Sequence, residues 1–462
     1  MNMKPKMLHF RRAAFVLLIL TGFAPVLQAQ SASQLPSPFT LKNALEFALE
    51  HKSNVKKAKL DEENSGHQIA EVRSRALPTV TGSGSLSYNP ILQLSAVPGE
   101  LAGQPGTTLL IPFGQKWSSS AAISLQQNLF DQSVFTGLKA AKTTQEYYKI
   151  LSTLTDEQTI EQVASNYYQV LVQRQKLVVI DSNIATTTRV KEVIEGQYKN
   201  GLAKKIDLDR TRVNISNLQA QRQQILNAVQ IQENTLKFYM GMNIATPIDI
   251  PAATFENIEP SFQLAASNPD VTKLTDYQLL KKQEVLLNFQ KDAVKAEYYP
   301  TLSLNGNYGY QGLGNKFPIG TGKPAVNWFD YASIGLNLKI PIFNGFATRS
   351  RVRQADVDIR KVQEDLKNTE LSLNLAFENA KTQISNSIIT LNNQKENVEL
   401  AQEVYDNTRN NYNQGLAPLT DLLDAENSLT TAQNNYSSAL LDYRLAEIQL
   451  IKSQGNLKSL LN

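Results

Sequence analysis

The sequence has 462 residues, 42% hydrophobic and 19% charged, with a formal net charge of +4 and no cysteine, which excludes disulfides, thiolate metal sites and a lipid-anchored N-terminal cysteine. The charge is small for this length and no basic run is interleaved with aromatics, so the usual footprint of nucleic-acid binding is missing. Of the three histidines, His9 lies near the start while His51 and His67 fall on an amphipathic helical stretch where surface positions are expected, leaving no histidine cluster for metal binding or catalysis.

Lys4, Lys6, Arg11 and Arg12 precede an apolar run over residues 13–20, and Leu27, Gln28 and Ala29 form a small-residue cleavage site. The run is too short to cross a bilayer as a helix, so residues 1–29 read as a signal peptide and the mature chain as exported. No later apolar stretch reaches the roughly 18 residues of a membrane helix. Contact with a membrane would have to be made by strands.

Residues 41–77 read as helix, with Leu45, Ala48, Leu49, Val55 and Leu60 at apolar positions, and Pro78 pushes Leu77 out of the helical region. The period then changes from about 3.6 to 2. Val80, Gly82, Gly84, Leu86 and Tyr88 alternate with Thr and Ser; a Pro/Gly-rich external loop follows over residues 89–116; alternation resumes through Ala121, Ile123, Leu125, Gln127 and Leu129. This predicts one hairpin over about 79–131. A second, over about 301–343, alternates Leu302, Leu304, Gly306, Tyr308 and Tyr310 with polar residues, then Ala332, Ile334, Leu336, Leu338 and Ile340 after a loop.

About ten alternating residues suit a tilted strand crossing a bilayer. Trp117 and Trp328 sit just before the second strand of each hairpin, and Tyr88, Phe130, Tyr310 and Phe343 lie near other strand ends, where an aromatic girdle would be. An ordinary half-buried antiparallel sheet with aromatics at its edges is the alternative. Four strands cannot close a barrel, and lipid does not tolerate an open sheet edge, so the membrane reading requires a homo-oligomer.

Each hairpin runs into a long proline-free stretch with helical apolar spacing. In the second, Ile359, Val362, Leu366, Leu373, Phe377, Ala380, Ile384, Ile388, Leu391, Val398, Ala401 and Tyr405 advance mostly by three or four, as in a coiled coil. Each long helix ends in a tight turn: Tyr198 to Asp207 reads YKNGLAKKID and Tyr412 to Asp424 reads YNQGLAPLTDLLD, with Gly201 and Gly415, and likewise Asp207 and Asp421, 214 residues apart. Pro418 stops the incoming helix, Thr420 is placed to cap the return helix, and Asp421 lies at the positive end of its dipole. The chain therefore reads as two copies, residues 30–240 with a turn near 200–206 and residues 276–462 with a turn near 414–420, joined by an irregular linker over 241–275. The polar faces of the coils suit either a water-filled duct or a solid bundle with a solvated surface.

Signal peptide, hairpin and long coil with a Gly-Leu turn and an aspartate, then a linker and a second set ending in GLAPLTDLLDAENSL, resemble the TolC family of outer-membrane efflux proteins across essentially the whole mature chain. The resemblance implies a mixed α and β membrane protein in which four strands per chain complete a trimeric 12-stranded barrel, continued by a periplasmic α-helical coiled-coil barrel. It implies a homotrimer in outer-membrane lipid that meets a periplasmic adaptor protein and an inner-membrane transporter, with no nucleic acid and no cofactor. By position, Asp421 and Asp424 match the family's constriction ring, and Asp207 and Tyr412 match a pair that latches it; where a family member has a latch arginine this chain has Ala417, and Lys204 and Lys205 add charge to the other turn. The turns Gly201-Leu202 and Gly415-Leu416 are expected to contact the adaptor, with turn geometry and coil packing the alternative. Independently of family, two carboxylates per chain repeated around a narrow throat would attract cations.

Three function classes follow: an outer-membrane exit duct, an exported non-channel coiled-coil protein of structural or adhesive role, and an exported enzyme. The last has no nucleophile motif, phosphate loop or metal-ligand cluster in its favour.

Overall fold

A computed structural model describes residues 39–103, 105–251, 269–318 and 326–461. The expected signal peptide and residues 252–268 of the expected linker lie outside the described residues. In chain order the elements are α1 (Leu41–His51), α2 (Ser53–Ser74), β1 (Thr79–Tyr88), β2 (Leu94–Pro98), β3 (Thr108–Pro112), β4 (Trp117–Phe130), α3 (Gln132–Lys199), α4 (Lys205–Met240), α5 (Thr275–Ala296), β5 (Thr301–Gly314), β6 (Val326–Lys339), α6 (Ala347–Asn413) and α7 (Leu419–Ser453).

The strands β1, β4, β5 and β6 form one antiparallel sheet in the order β1-β4-β5-β6, so β1 and β6 are edges with no partner among the described residues. Register places Val80, Leu125, Gly306 and Ile334 in one row and Leu86, Ser119, Gly312 and Trp328 in another. Because paired residues share a face, the apolar positions of all four strands collect on one side, while Ser83, Ala122, Gly309 and Tyr331 mark the other, largely Ser/Thr/Asn side. Alternation alone would put Leu129 on the apolar side. A register shift between Asn128 and Phe130 instead sets Phe130 opposite Leu302, on the apolar face.

Aromatic rings mark both ends of that face. Near the loops Tyr88 and Trp117 lie 4.6 Å apart, and Tyr310 stacks on Trp328 at 5.1 Å. The Trp328 ring covers Gly312, where a Cβ would fall 2.7 Å from ring atoms. Near the helices Phe130 meets Phe135 at 6.5 Å and Phe343 meets Phe346 at 5.4 Å. The expected loop over 89–116 has structure of its own: β2 and β3 pair as a separate two-stranded ribbon.

Below the sheet, α3 and α6 contain 68 and 67 residues, about 100 Å at the helical rise. Each is flanked by two shorter helices. Near the sheet α2 packs on α3 and α5 on α6; further away α4 packs on α3 and α7 on α6. The expected continuous helix over 41–77 breaks at Lys52, whose ψ of 129° is extended, and ends at Ser74. The break seats the end of α4: Gly241, at φ +73°, approaches so closely that a Cβ would lie 2.9 Å from the Lys52 Cα, and Lys52 Nζ donates to Phe238 O at 2.7 Å. Apolar burial falls into three clusters along the coil. One, around Phe39, Tyr167, Leu236 and Leu457, joins α1, α3 and α4 at mid-height. A second is the seam between α6 and α7, and the third lies at the tip far from the sheet.

Candidate functional site

The tip is built from the same turn twice. After α3 the chain reaches Gly201 at φ +75°, and Leu202 N donates back to Gln197 O at 2.8 Å; after α6 it reaches Gly415 at φ +74°, and Leu416 N donates to Asn411 O at 2.9 Å. Both are left-handed helix ends closed by a six-to-one hydrogen bond. Nothing lies within 4 Å of a Cβ built at either glycine, so the backbone angle alone demands glycine there. Leu202 and Leu416 protrude, 81% and 74% exposed.

The return helices also begin alike. Lys204 and Pro418 occupy the caps, and Asp207 and Asp421 each fall third in their helix. The expected Thr420 cap is corrected: α7 starts at Leu419, so the Thr420 hydroxyl sits inside the first turn and makes no capping hydrogen bond, contacting only Asp421 Oδ1 at 3.4 Å. Pro418 stands at the cap in an extended conformation, with φ −73° and ψ 161°.

Asp421 and Asp424, three apart on α7, are both exposed and point away from the tip core formed by Ile194, Leu208, Tyr405, Leu419, Leu422 and Leu429. Asp207 and Tyr412 line one groove of about 630 Å³ together with Lys204, Arg210 and Ala417. No hydrogen bond joins the pair among the described residues. Burial, with the negative charge of Asp207 added, pushes the Tyr412 phenol above the ordinary tyrosine range, so it remains a proton donor. The structure thus brings Asp207 beside Tyr412 and Asp421 beside Asp424, and it leaves Leu202 and Leu416 facing solvent. The girdle residues Trp117, Trp328, Tyr88, Tyr310, Phe130 and Phe343 belong to the distant sheet end.

One feature of the tip was not visible in the motif. Glu426 is 7% exposed and its carboxyl is hydrogen-bonded to the Thr187 hydroxyl of α3, while Asn183 Nδ2 donates to Thr430 Oγ1 at 2.7 Å. The Tyr405 hydroxyl beside them is buried with no hydrogen-bond partner among the described residues. The signal available in the sequence was a charged residue on the apolar stripe of α7, four after Leu422 and three before Leu429.

Among the described residues no group of His, Cys, Asp and Glu is arranged to hold a metal, and no helix is long and apolar enough to cross a membrane.

With this geometry in view, a family model described as outer membrane efflux protein matches residues 44–242 and 286–456. The chain is 24% identical over 342 residues to the outer membrane protein TolC of Vibrio cholerae, covering 73% of this chain and 77% of that protein. It is 22% identical over 463 residues to the outer membrane protein TolC of Escherichia coli, covering 95% and 85%. Among solved structures, the CmeC outer membrane channel of Campylobacter jejuni superposes with a TM-score of 0.71 at 15% identity, over 90% of this chain and 85% of that one. The outer membrane protein VceC of Vibrio cholerae superposes with a TM-score of 0.68 at 17% identity, over 90% and 96%.

Proposed function

Because the chain belongs to the outer membrane efflux protein family, we propose that it is the exit duct of a tripartite efflux or type I secretion system, conducting small molecules or exported substrates passively across periplasm and outer membrane. The observation that carries this reading is the four-stranded sheet with one apolar face, two edges unpartnered among the described residues and a coil about 100 Å long beneath it.

In lipid the edges must be paired, because each bare backbone group there costs several kcal/mol. Three copies joined edge to edge, β1 of one to β6 of the next, close a 12-stranded barrel with the apolar face outward, the polar face around water, and the ringed aromatics at the two interfaces. The coils of three chains then continue the wall as a periplasmic tunnel. The element lengths support an internal duplication: α2 and α5 have 22 residues each, α3 and α6 have 68 and 67, and α4 and α7 have 36 and 35. The repeats run over 30–240 and 276–462, with residues 241–275 linking them.

At the periplasmic end the exposed pair Asp421 and Asp424 forms the constriction, one pair per chain, and Asp207 with Tyr412 forms the latch. The exposed Leu202 and Leu416, held out by Gly201 and Gly415, are the contacts for a periplasmic adaptor, which links the duct to an inner-membrane transporter. The protein's part is passage, with no reaction catalysed.

Since the chain lacks cysteine, edge pairing can be tested directly. Cysteines introduced in pairs on β1 and β6, starting from Ser83→Cys with Ser333→Cys and scanned through the register, should give covalent trimers and nothing larger on oxidation in outer membranes. Absence of any cross-link across the register, or an open ladder beyond three chains, would remove the duct reading.

A further inference from the structure

We infer that the Glu426 carboxyl is a proton-binding site of the tip: with α3, α6 and α7 packed as seen, it carries a proton and donates it to Thr187, which in turn donates to the backbone of α3.

The argument is a count of hydrogens. Thr187 Oγ1 lies 2.8 Å from Asn183 O and is also hydrogen-bonded to Glu426 Oε1. A hydroxyl owns one hydrogen, whereas a carbonyl oxygen and a carboxylate own none. Both contacts are satisfied together only if the Glu426 carboxyl supplies the second hydrogen. Water is poorly placed to replace it, since Thr187 is 0% and Glu426 7% exposed.

The surroundings offer no countercharge. From α3 the site meets Thr187 and Asn183, whose amide is taken by Thr430. From α6 it meets Tyr405, whose ring has the Arg409 guanidinium at 5.5 Å, and Arg409 is itself paired with Asp406 at 3.1 Å. On α7, Asp421 and Asp424 lie on the exposed face. At this level α4 contributes Leu208 and Thr211, the latter hydroxyl donating to Asp207 O at 2.9 Å. No ion pair reaches Glu426 among the described residues. Burial accordingly raises its proton affinity.

The sign follows from linkage. A carboxyl whose pKa is raised in the packed tip, and ordinary when α7 loosens from α3 and hydrates it, stabilises the packed tip fully below the ordinary carboxylate range. That stabilisation is lost as pH rises through the raised value. Between the ordinary value and the raised one, the ratio of packed to loosened tip falls by up to about tenfold per pH unit for one proton, and above the raised value it is level. Any bearing on gating rests on the duct reading, whereas the proton site does not.

The test is amide hydrogen exchange on the purified full-length protein, following residues 183–190 and 419–431 across pH after correction for intrinsic rates. Wild type should lose protection by up to about tenfold per pH unit above a threshold in the ordinary carboxylate range, and level off past the raised value. Glu426→Gln, which donates from an amide and does not titrate, and Glu426→Leu as a second uncharged variant, should lack that threshold. Infrared difference spectra should show a protonated carboxyl band in wild type that is absent in Glu426→Gln. A flat wild-type profile, the same threshold in both variants, or an unchanged carboxyl band would overturn the assignment.

Discussion

The two ends of the coil pairs share one backbone and differ in chemistry. Gly201 and Gly415 adopt the same left-handed turn, Leu202 and Leu416 protrude alike, and Asp207 and Asp421 occupy the same helical position. Yet the first turn brings Lys204, Lys205 and Arg210 around its aspartate, while the second brings Ala417 and Pro418 and follows with Asp424 and the buried Glu426. The turn is fixed by a glycine φ and a hydrogen bond, which tolerate any neighbours; charge is free to diverge. The first turn is therefore basic at the groove and the second acidic on its exposed face, so equal substitutions should match in stability and differ in conduction.

The largest expected effect tests the shared half of that statement. Leu422→Ala and Leu208→Ala remove buried side chains, 1% and 4% exposed, from the same tip cluster. Each should cost about 2 to 5 kcal/mol of local stability, read as hydrogen exchange at the tip; a large cost for only one would mean that the two turns do not share a core. Next, Asp421→Ala with Asp424→Ala should weaken pore block by multivalent cations tenfold or more, equivalent to about 1.4 kcal/mol, while trimers still assemble. Asp207→Ala, beside cationic neighbours, should leave block nearly unchanged, and an equal loss in both would remove the distinction between the turns. Gly201→Ala and Gly415→Ala should each cost about 1 kcal/mol, because only the left-handed backbone is strained and the Cβ meets open space. The smallest effect belongs to Tyr412→Phe, which should raise resting conductance by a few-fold at most, in keeping with a single hydroxyl contribution of about 1 kcal/mol. Wild-type conductance in that variant would count against the latch.

How much of this was legible depended on the range of the interactions. Strand alternation, the long proline-free coils and the Gly-Leu turns are local patterns, and the sheet, the helices and the φ-positive glycines lie where they pointed. Contacts between distant segments were not legible. The bulge that turns Phe130 to the apolar face answers to Leu302, more than a hundred residues on. The break at Lys52 answers to the close approach of Gly241. Thr420 has the right residue type for a cap, but the helix begins one residue before it, at Leu419. The ribbon β2–β3 was hidden because its Pro- and Gly-rich flanks read as loop. Glu426 was readable only as a charge out of place on a stripe, and its partner Thr187 comes from a helix 239 positions earlier.

The central claim, that three copies form one water-filled passage narrowed by carboxylates, is tested most directly by single-channel recording of the purified mature protein in a planar bilayer, with and without a multivalent cation on the periplasmic side. The account predicts a discrete conductance that the cation blocks and that Asp421→Ala with Asp424→Ala frees from block. A folded, trimeric protein that fails to insert or to conduct would contradict it and favour an exported coiled-coil protein without a channel.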